Sequence, residues 1–450
     1  MSAWLATRLV LVVGMVLTRS YCDPQFYRYA GDLSVGRWPY HPVQVEYPPV
    51  AMFLILLPAV ALLPFSGIAP RPDPALTGVV QPIPPPDPVR YGAYGMAFAA
   101  EMLILDAFTL WLVKRAAARF VPWDIGGLRT GLLYILLGFI SGALLQKFDL
   151  AVGAVCLLGV YALAQNRTRL AWSAIAIATL IKGFPLLVLV IFTGYQLSRA
   201  LPAPWIEAAR QRWRALLAGV VAFAAVVAVW TAPVVVVAGW SSLWSALLYH
   251  AARGVEIESL YANVVALAHW VFGLPARTGF SPSDFSRVVH SPLDTWIDGA
   301  TTVVAAVLLL LVLGIIARGF SRAADQRGAR SSEAQLVATS VAAILLAFML
   351  AFRALPAHYL LAVLPVGVII RLQRPCLQRI WVLSLFGVEL FGLVVIASWH
   401  ALVSLQPWAI VFLTLRNLAW LGAFVALIIA LWQWQRGEQI HRLEPLDSNV

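Results

Sequence analysis

Apolar runs separated by short polar gaps make up almost the whole chain. Nearly uncharged segments fall at about 4–19, 48–66, 91–113, 128–146, 149–164, 170–197, 215–239, 296–317, 335–352, 356–371, 379–399 and 408–433. Several of them reach about 18 residues, enough for a helix to cross a hydrocarbon core of roughly 30 Å. They lack the two-residue alternation of membrane barrel strands and the polar face of a soluble helix. The pattern predicts an all-α polytopic membrane protein, a bundle of about twelve transmembrane helices. Residues 1–433 read as one transmembrane domain and 434–450 as a cytoplasmic polar tail. Two gaps are broad, 20–47 and 240–295, and both are expected outside. Residues 67–90 are too rich in proline for helix or sheet and read as a connector.

Composition agrees. The chain is 61% hydrophobic and only 12% charged, against about a quarter charged in soluble domains. The net charge of +11 comes from arginines in the gaps between runs, as in cytoplasmic loops of membrane proteins, so no nucleic-acid partner is expected. Cys22, Cys156 and Cys376 are far apart in sequence, which gives neither a disulfide framework nor metal-ligand spacing. No metal or cofactor is expected. The first run, Trp4 to Thr18, ends in Arg19-Ser20-Tyr21-Cys22-Asp23. That flank has no small-residue cleavage site, so the run reads as a retained helix.

Charge also orients the chain. Arg210, Arg212 and Arg214, then Arg318, Arg322, Arg327 and Arg330, then Arg371, Arg374 and Arg379, and finally Arg436 fall on one side if the later segments alternate. That side is cytoplasmic. The same alternation puts Lys114, Arg115, Arg119, Arg167 and Arg169 outside, against the rule. Lys182-Gly183-Phe184-Pro185 in the middle of 170–197 offers a repair, because glycine and proline break a membrane helix where a cavity hydrates it. A break there requires a second early segment to be miscounted.

The chemistry concentrates in the first gap, YCDPQFYRYAGDLSVGRWPYHPVQVEYPP, residues 21–49. Asp23, Tyr27 and Ala30 are spaced to share a helical face. Asp23 before Pro24 has two readings: an N-cap at the membrane surface, or a general base at the water–lipid boundary. Asp32 and Glu46 are alternatives for the base. Lys182 lies within an apolar run, where an ionised side chain is costly without a partner or water. Arg353 and His358 border apolar runs, where a boundary anchor and an ordinary interfacial histidine are the plain readings. Glu258 is bunched with Arg253 and Glu256, where a solvated ion pair is the plain reading. Glu101 and Asp106 in the third segment are functional carboxylates or partners of Lys147 or Lys182. Glu389 and Arg416 are expected to pair.

The order D-x3-Y-x2-A, G-x2-P-Y and Y-P-P in this gap resembles glycosyltransferase family 87. LLQKFDLAVGAVCLLGVYAL, LAWSAIAIATLIKGFPLLVLVIF and FRALPAHYLLAVLP resemble later segments of that family, so the likeness runs over most of residues 20–371. It implies a GT-C membrane enzyme that takes a sugar, mannose as first guess, from a polyprenyl monophosphate and inverts the anomeric centre. Asp23 matches the base position, and Lys182 and Arg353 match basic positions that would hold the donor phosphate with His358. Tyr27, Tyr40, Lys147, Arg253, Glu258 and Tyr359 are the substrate-binding candidates. The partners would be the polyprenyl-phosphate sugar, a glycolipid or glycan acceptor, and the membrane. The setting would be a bacterial plasma membrane with the site facing outward. This chain departs from the pattern at Val45-Glu46, Lys147, Asp149, Arg353 and Ala357. The rival readings are a transporter or lipid-linked-sugar flippase, and a non-catalytic scaffold.

Overall fold

A computed structural model describes residues 2–43, 45–71, 87–199, 205–249, 254–281, 286–325 and 330–436. Arg253, most of the proline-rich connector and residues 437–450 of the tail lie outside them. The chain is a polytopic α-helical membrane protein. Among the described residues, six helices are long and apolar enough to cross a membrane, and shorter apolar helices pack among them.

Among the described residues the α-helices are, in chain order, α1 Ser2–Thr18, α2 Pro24–Ser34, α3 Pro49–Leu62, α4 Pro88–Phe120, α5 Leu128–Ile140, α6 Asp149–Ala164, α7 Thr168–Ile181, α8 Val188–Ser198, α9 Trp205–Leu248, α10 Leu260–Phe272, α11 Asp294–Asp325, α12 Arg330–Ala351, α13 Leu360–Gly367, α14 Pro375–Ala397, α15 Trp399–Val403 and α16 Pro407–Gln435. Two antiparallel strands, Arg277–Ser281 and Ser286–His290, are the longest strand pair among the described residues. Glu256 bridges to Val288 beside them.

The core is built around α6, α12 and α13, which are buried along nearly their whole length. Gly153 lets α6 meet α13 at backbone distance: a Cβ there would fall 2.5 Å from the Leu361 carbonyl oxygen. The long α9 lies at the periphery, and its spanning window is not buried by the rest of the chain. It breaks at Gly239, whose φ of 82° and ψ of 163° leave the helix.

The two ends of the bundle differ. At one end Tyr195 of α8 donates to Glu333 of α12 at 3.2 Å. Gln335, half a turn on, donates to the carbonyls of Phe120 and Ile369, and Arg371 donates to Thr130 at 2.6 Å. This end gathers the arginine-rich loops. The other end holds the α1–α2 connection, the starts of α4, α6 and α13, and the strand pair.

This arrangement corrects the sequence-based crossing order at two places. Residues 170–197 form two helices, α7 and α8, separated at Lys182, where the backbone becomes extended (φ −145°, ψ 130°). The segment at 48–66 is not a crossing. Pro48, before α3, lines a cavity at the strand-bearing end. Ser66 and Ala69, just after α3, accept hydrogen bonds from Arg90 in the first turn of α4, and Tyr91 of that turn reaches the Cys22 carbonyl. Both ends of α3 therefore sit at one end of the bundle. With α3 removed and α7–α8 counted as two, Lys114, Arg115, Arg119, Arg167 and Arg169 join the other arginines at the opposite end.

The intramembrane carboxylates also find different partners from those expected. Asp106 meets neither Lys147 nor Lys182. It is fully buried and held by Arg8 of α1, through Nε at 2.8 Å and Nη2 at 3.0 Å, with Tyr134 donating at 2.6 Å. Arg416 pairs with Glu258 at 2.6 Å rather than with Glu389.

Candidate active site

Helix α6 has 16 residues and α7 has 14, so at about 1.5 Å per residue they rise roughly 24 and 21 Å. That is shorter than a hydrocarbon core of roughly 30 Å. A cavity of about 770 Å³ lies at the strand-bearing end of the bundle.

Asp23 enters this cavity from the α1–α2 junction. Its backbone is extended (φ −62°, ψ 125°), and Oδ1 accepts from the Gln25 amide at 3.0 Å, so it caps α2 as Pro24 starts the helix. Its second oxygen, Oδ2, accepts from Lys147 Nζ at 2.7 Å. Burial pulls the Lys147 ammonium down, but the Asp23 carboxylate outweighs it and holds the group above the usual lysine range.

A second ion pair stands beside the first. Lys182, at the break between α7 and α8, reaches Asp149 Oδ1 at 2.6 Å. His358 Nε2 lies 3.8 Å from the other Asp149 oxygen. Asp149 occupies the first turn of α6, where the helix dipole favours an anion. The Lys182 ammonium also lies 4.1 Å from the centre of the Tyr359 ring, a cation–π contact. Glu46 lines the same space, and Glu256, Glu258, Ser286 and Arg287 line it from the strand-bearing side. Glu258 is fixed by Arg416, itself held by Asn417.

The remaining wall is apolar. Phe184, Leu186, Leu187, Leu309, Phe348 and Phe352 line it. Phe348 stacks on both Phe184, at 5.5 Å, and Phe352, at 5.3 Å. One cavity therefore joins a floor of paired charges to an aromatic and aliphatic flank. Among the described residues, no three His, Cys, Asp or Glu side chains gather in a way that could hold a metal ion.

Of the residues singled out in the sequence, Asp23, Glu46, Lys147, Lys182, Glu258, His358 and Tyr359 meet in this cavity. Tyr27, Tyr40, Asp32 and Arg353 do not line it. Tyr27 is buried in an aromatic cluster with Tyr91 and Tyr94. Tyr40 donates to the Tyr47 carbonyl at 2.5 Å and so braces the loop. Asp32 is buried further along α2, 3.5 Å from Arg37. Arg353 turns to the start of α11, where it pairs with Asp298 at 3.0 Å and contacts Thr301. Arg253 lies outside the described residues. Asp149 and Arg416, absent from the sequence-based site, hold Lys182 and Glu258. The signal for Asp149 was its place two residues after Lys147 at a helix start.

No family model matches the chain, and no curated protein matches it. The likeness to glycosyltransferase family 87 thus stands on its motifs. Among solved structures the chain is similar to ArnT from Cupriavidus metallidurans bound to undecaprenyl phosphate. The TM-score is 0.42 and the identity 16%, over 97% of this chain and 77% of that one. Similarity at this level carries neither fold nor function across by itself.

Proposed function

We propose that the protein is a GT-C-type membrane glycosyltransferase that moves a sugar, mannose as first guess, from a polyprenyl monophosphate to an acceptor hydroxyl with inversion. The observation that supports this reading is the two-part cavity. A charged floor beside an apolar flank suits an amphiphile with an anionic head and a long hydrocarbon tail. The arginine-rich end is cytoplasmic by the positive-inside rule, so the cavity faces outward.

In this reading the donor phosphate sits on the floor near Lys147, Lys182 and His358, with its prenyl chain along Phe184, Phe348 and Phe352. Lys147 shifting from Asp23 toward the phosphate would release Oδ2 of Asp23 for the acceptor. The acceptor oxygen attacks the anomeric carbon from the face opposite the phosphate. The anomeric carbon–oxygen bond breaks, the phosphate leaves with the electron pair, and Asp23 takes the hydroxyl proton. Lys147 and Lys182 offset the charge that develops on the leaving phosphate. Glu46, Glu258 and Tyr359 are placed to contact the sugar or the acceptor.

The test is donor turnover in membrane vesicles. Radiolabelled polyprenyl-phosphate mannose is supplied to membranes that carry the wild type or Lys182→Met. Transfer predicts that label leaves the lipid only with the wild type. A flippase would move labelled lipid between leaflets while the sugar–phosphate bond stays intact, and that outcome would sink the proposal.

A further inference from the structure

A second cavity opens at the arginine-rich end, away from the one just described. It has a volume of about 300 Å³ and is lined by Asn166, Thr168, Tyr195, Gln196, Arg199 and Arg212, among others. Two cations face it. Arg199 sits over the Tyr195 ring, 5.9 Å from its centre, and is held by the Asn166 side chain. Arg212, in the second turn of α9, donates to the Arg199 carbonyl at 3.2 Å.

The third feature is an acceptor. Gln196 is only 5% exposed. Its Nε2 donates to Thr168 at 3.3 Å, but its Oε1 finds no donor among the described residues. A buried carbonyl left without a donor costs about 1–3 kcal/mol, so a ligand that supplies an O–H or N–H there is favoured. Tyr195 does not supply it, because its hydroxyl donates to Glu333. Above Arg212 the cavity-facing side of α9 packs on the protein, with Gly219 against Trp172, and the exposed Leu217, Val220 and Val221 lie round the helix from it, on the spanning stretch that the rest of the chain leaves uncovered.

We infer that this cavity binds the headgroup of an anionic phospholipid that carries a hydroxyl. Its phosphodiester lies between Arg199 and Arg212, its hydroxyl donates to Gln196 Oε1, and its acyl chains leave the cavity toward the bilayer. Basic pockets between helices at the cytoplasmic surface suit such headgroups. Phosphatidylcholine is disfavoured twice, since its quaternary ammonium has no proton for Gln196 and brings a third cation beside two arginines. A soluble phosphate ester offers the same head chemistry without the chains. None of this depends on the sugar-transfer reading.

The experiment is native mass spectrometry of the full-length protein in detergent, with dioleoyl-phosphatidylglycerol, dioleoyl-phosphatidylcholine or sn-glycerol 3-phosphate added. We expect one phosphatidylglycerol to be retained in preference to phosphatidylcholine. Arg199→Gln with Arg212→Gln should weaken retention by about thirtyfold, while Arg322→Gln leaves it unchanged. Gln196→Leu should narrow the preference for phosphatidylglycerol over phosphatidylcholine, because the headgroup hydroxyl then has no acceptor. If the double variant does not run as a monodisperse peak, Arg212→Gln alone carries the test on the same terms. Equal retention of the two diacyl lipids, or undiminished retention by the variant, overturns the inference. Displacement of the lipid by glycerol phosphate overturns the lipid assignment in favour of a soluble ester.

Discussion

Asp23 is both a helix cap and the proposed base, and Asp23→Asn separates the two. Asparagine caps a helix about as well as aspartate, so the hydrogen bond to the Gln25 amide survives. The ion pair with Lys147 is lost, and its members are 27% and 26% exposed. At that burial the lost contact is worth roughly 1.5–3 kcal/mol, as for a hydrogen bond between charged groups. A base is worth about 10²–10⁴ in rate, or roughly 3–5 kcal/mol of barrier. The variant should therefore melt only a few degrees below the wild type in detergent while donor consumption at saturating lipid falls by at least about a hundredfold. Asp23→Ala, which also loses the cap, should cost about 1 kcal/mol more in stability with no further loss of rate. If Asp23→Asn turns over donor within about threefold of wild type, the carboxylate is a cap only. Glu46 then becomes the base to test, because it shares the cavity and Asp32 does not.

Breaking the buried Arg8–Asp106 pair with Arg8→Met or Asp106→Leu alone should cost about 3–5 kcal/mol each, and the double variant should regain most of it; additive losses in thermal unfolding would refute this. Asp124 accepts from the Thr130 hydroxyl and from the Thr130 and Arg129 amides. Burial alone would raise its pKa, but those bonds and the nearby Arg371 hold it below the usual carboxylate range. The depressed group stabilises the fold above the unfolded-state value of about 4 and loses that contribution as pH falls through the native value. Melting temperature should therefore drop below about pH 4, and Asp124→Asn should flatten that part of the profile. Finally, in a chain whose native cysteines are replaced by serine, Phe65→Cys should react with an impermeant maleimide on intact cells and Arg119→Cys should not. Labelling of Arg119→Cys would restore α3 as a crossing.

The helical membrane class could be read from the sequence, but the order of crossings could not: six described helices are long and apolar enough to span, whereas in the sequence α3 reads as a crossing, and α7 and α8 read as one segment. Hydropathy reports that a segment avoids water, not where its ends go. Helix α3 is apolar all round, with Ala51, Met52, Ile55 and Ala59 buried in protein and Phe53, Leu57 and Val60 exposed, yet both of its ends lie at one end of the bundle. The break at Lys182 was visible because lysine, glycine and proline together cannot continue a membrane helix.

The site shows the same division between local and distant information. Asp23 and Lys182 stood out because each conflicts with its local setting: a carboxylate between two apolar runs, and an ammonium inside one. Tyr27 was attached to Asp23 by helical spacing, yet Asp23 is the cap, with extended backbone. Its carboxylate caps α2 and meets Lys147, while the Tyr27 ring packs with Tyr91 and Tyr94. Arg353 was a basic residue at a helix end, and only the fold shows Asp298 beside it, 55 positions away. Glu258 likewise finds Arg416 across 158 positions. An ion pair between distant segments leaves no periodicity in either one. The charged groups that a sequence places in a membrane protein can thus be identified as costly before their partners are known. Whether each faces substrate or another side chain is decided by packing.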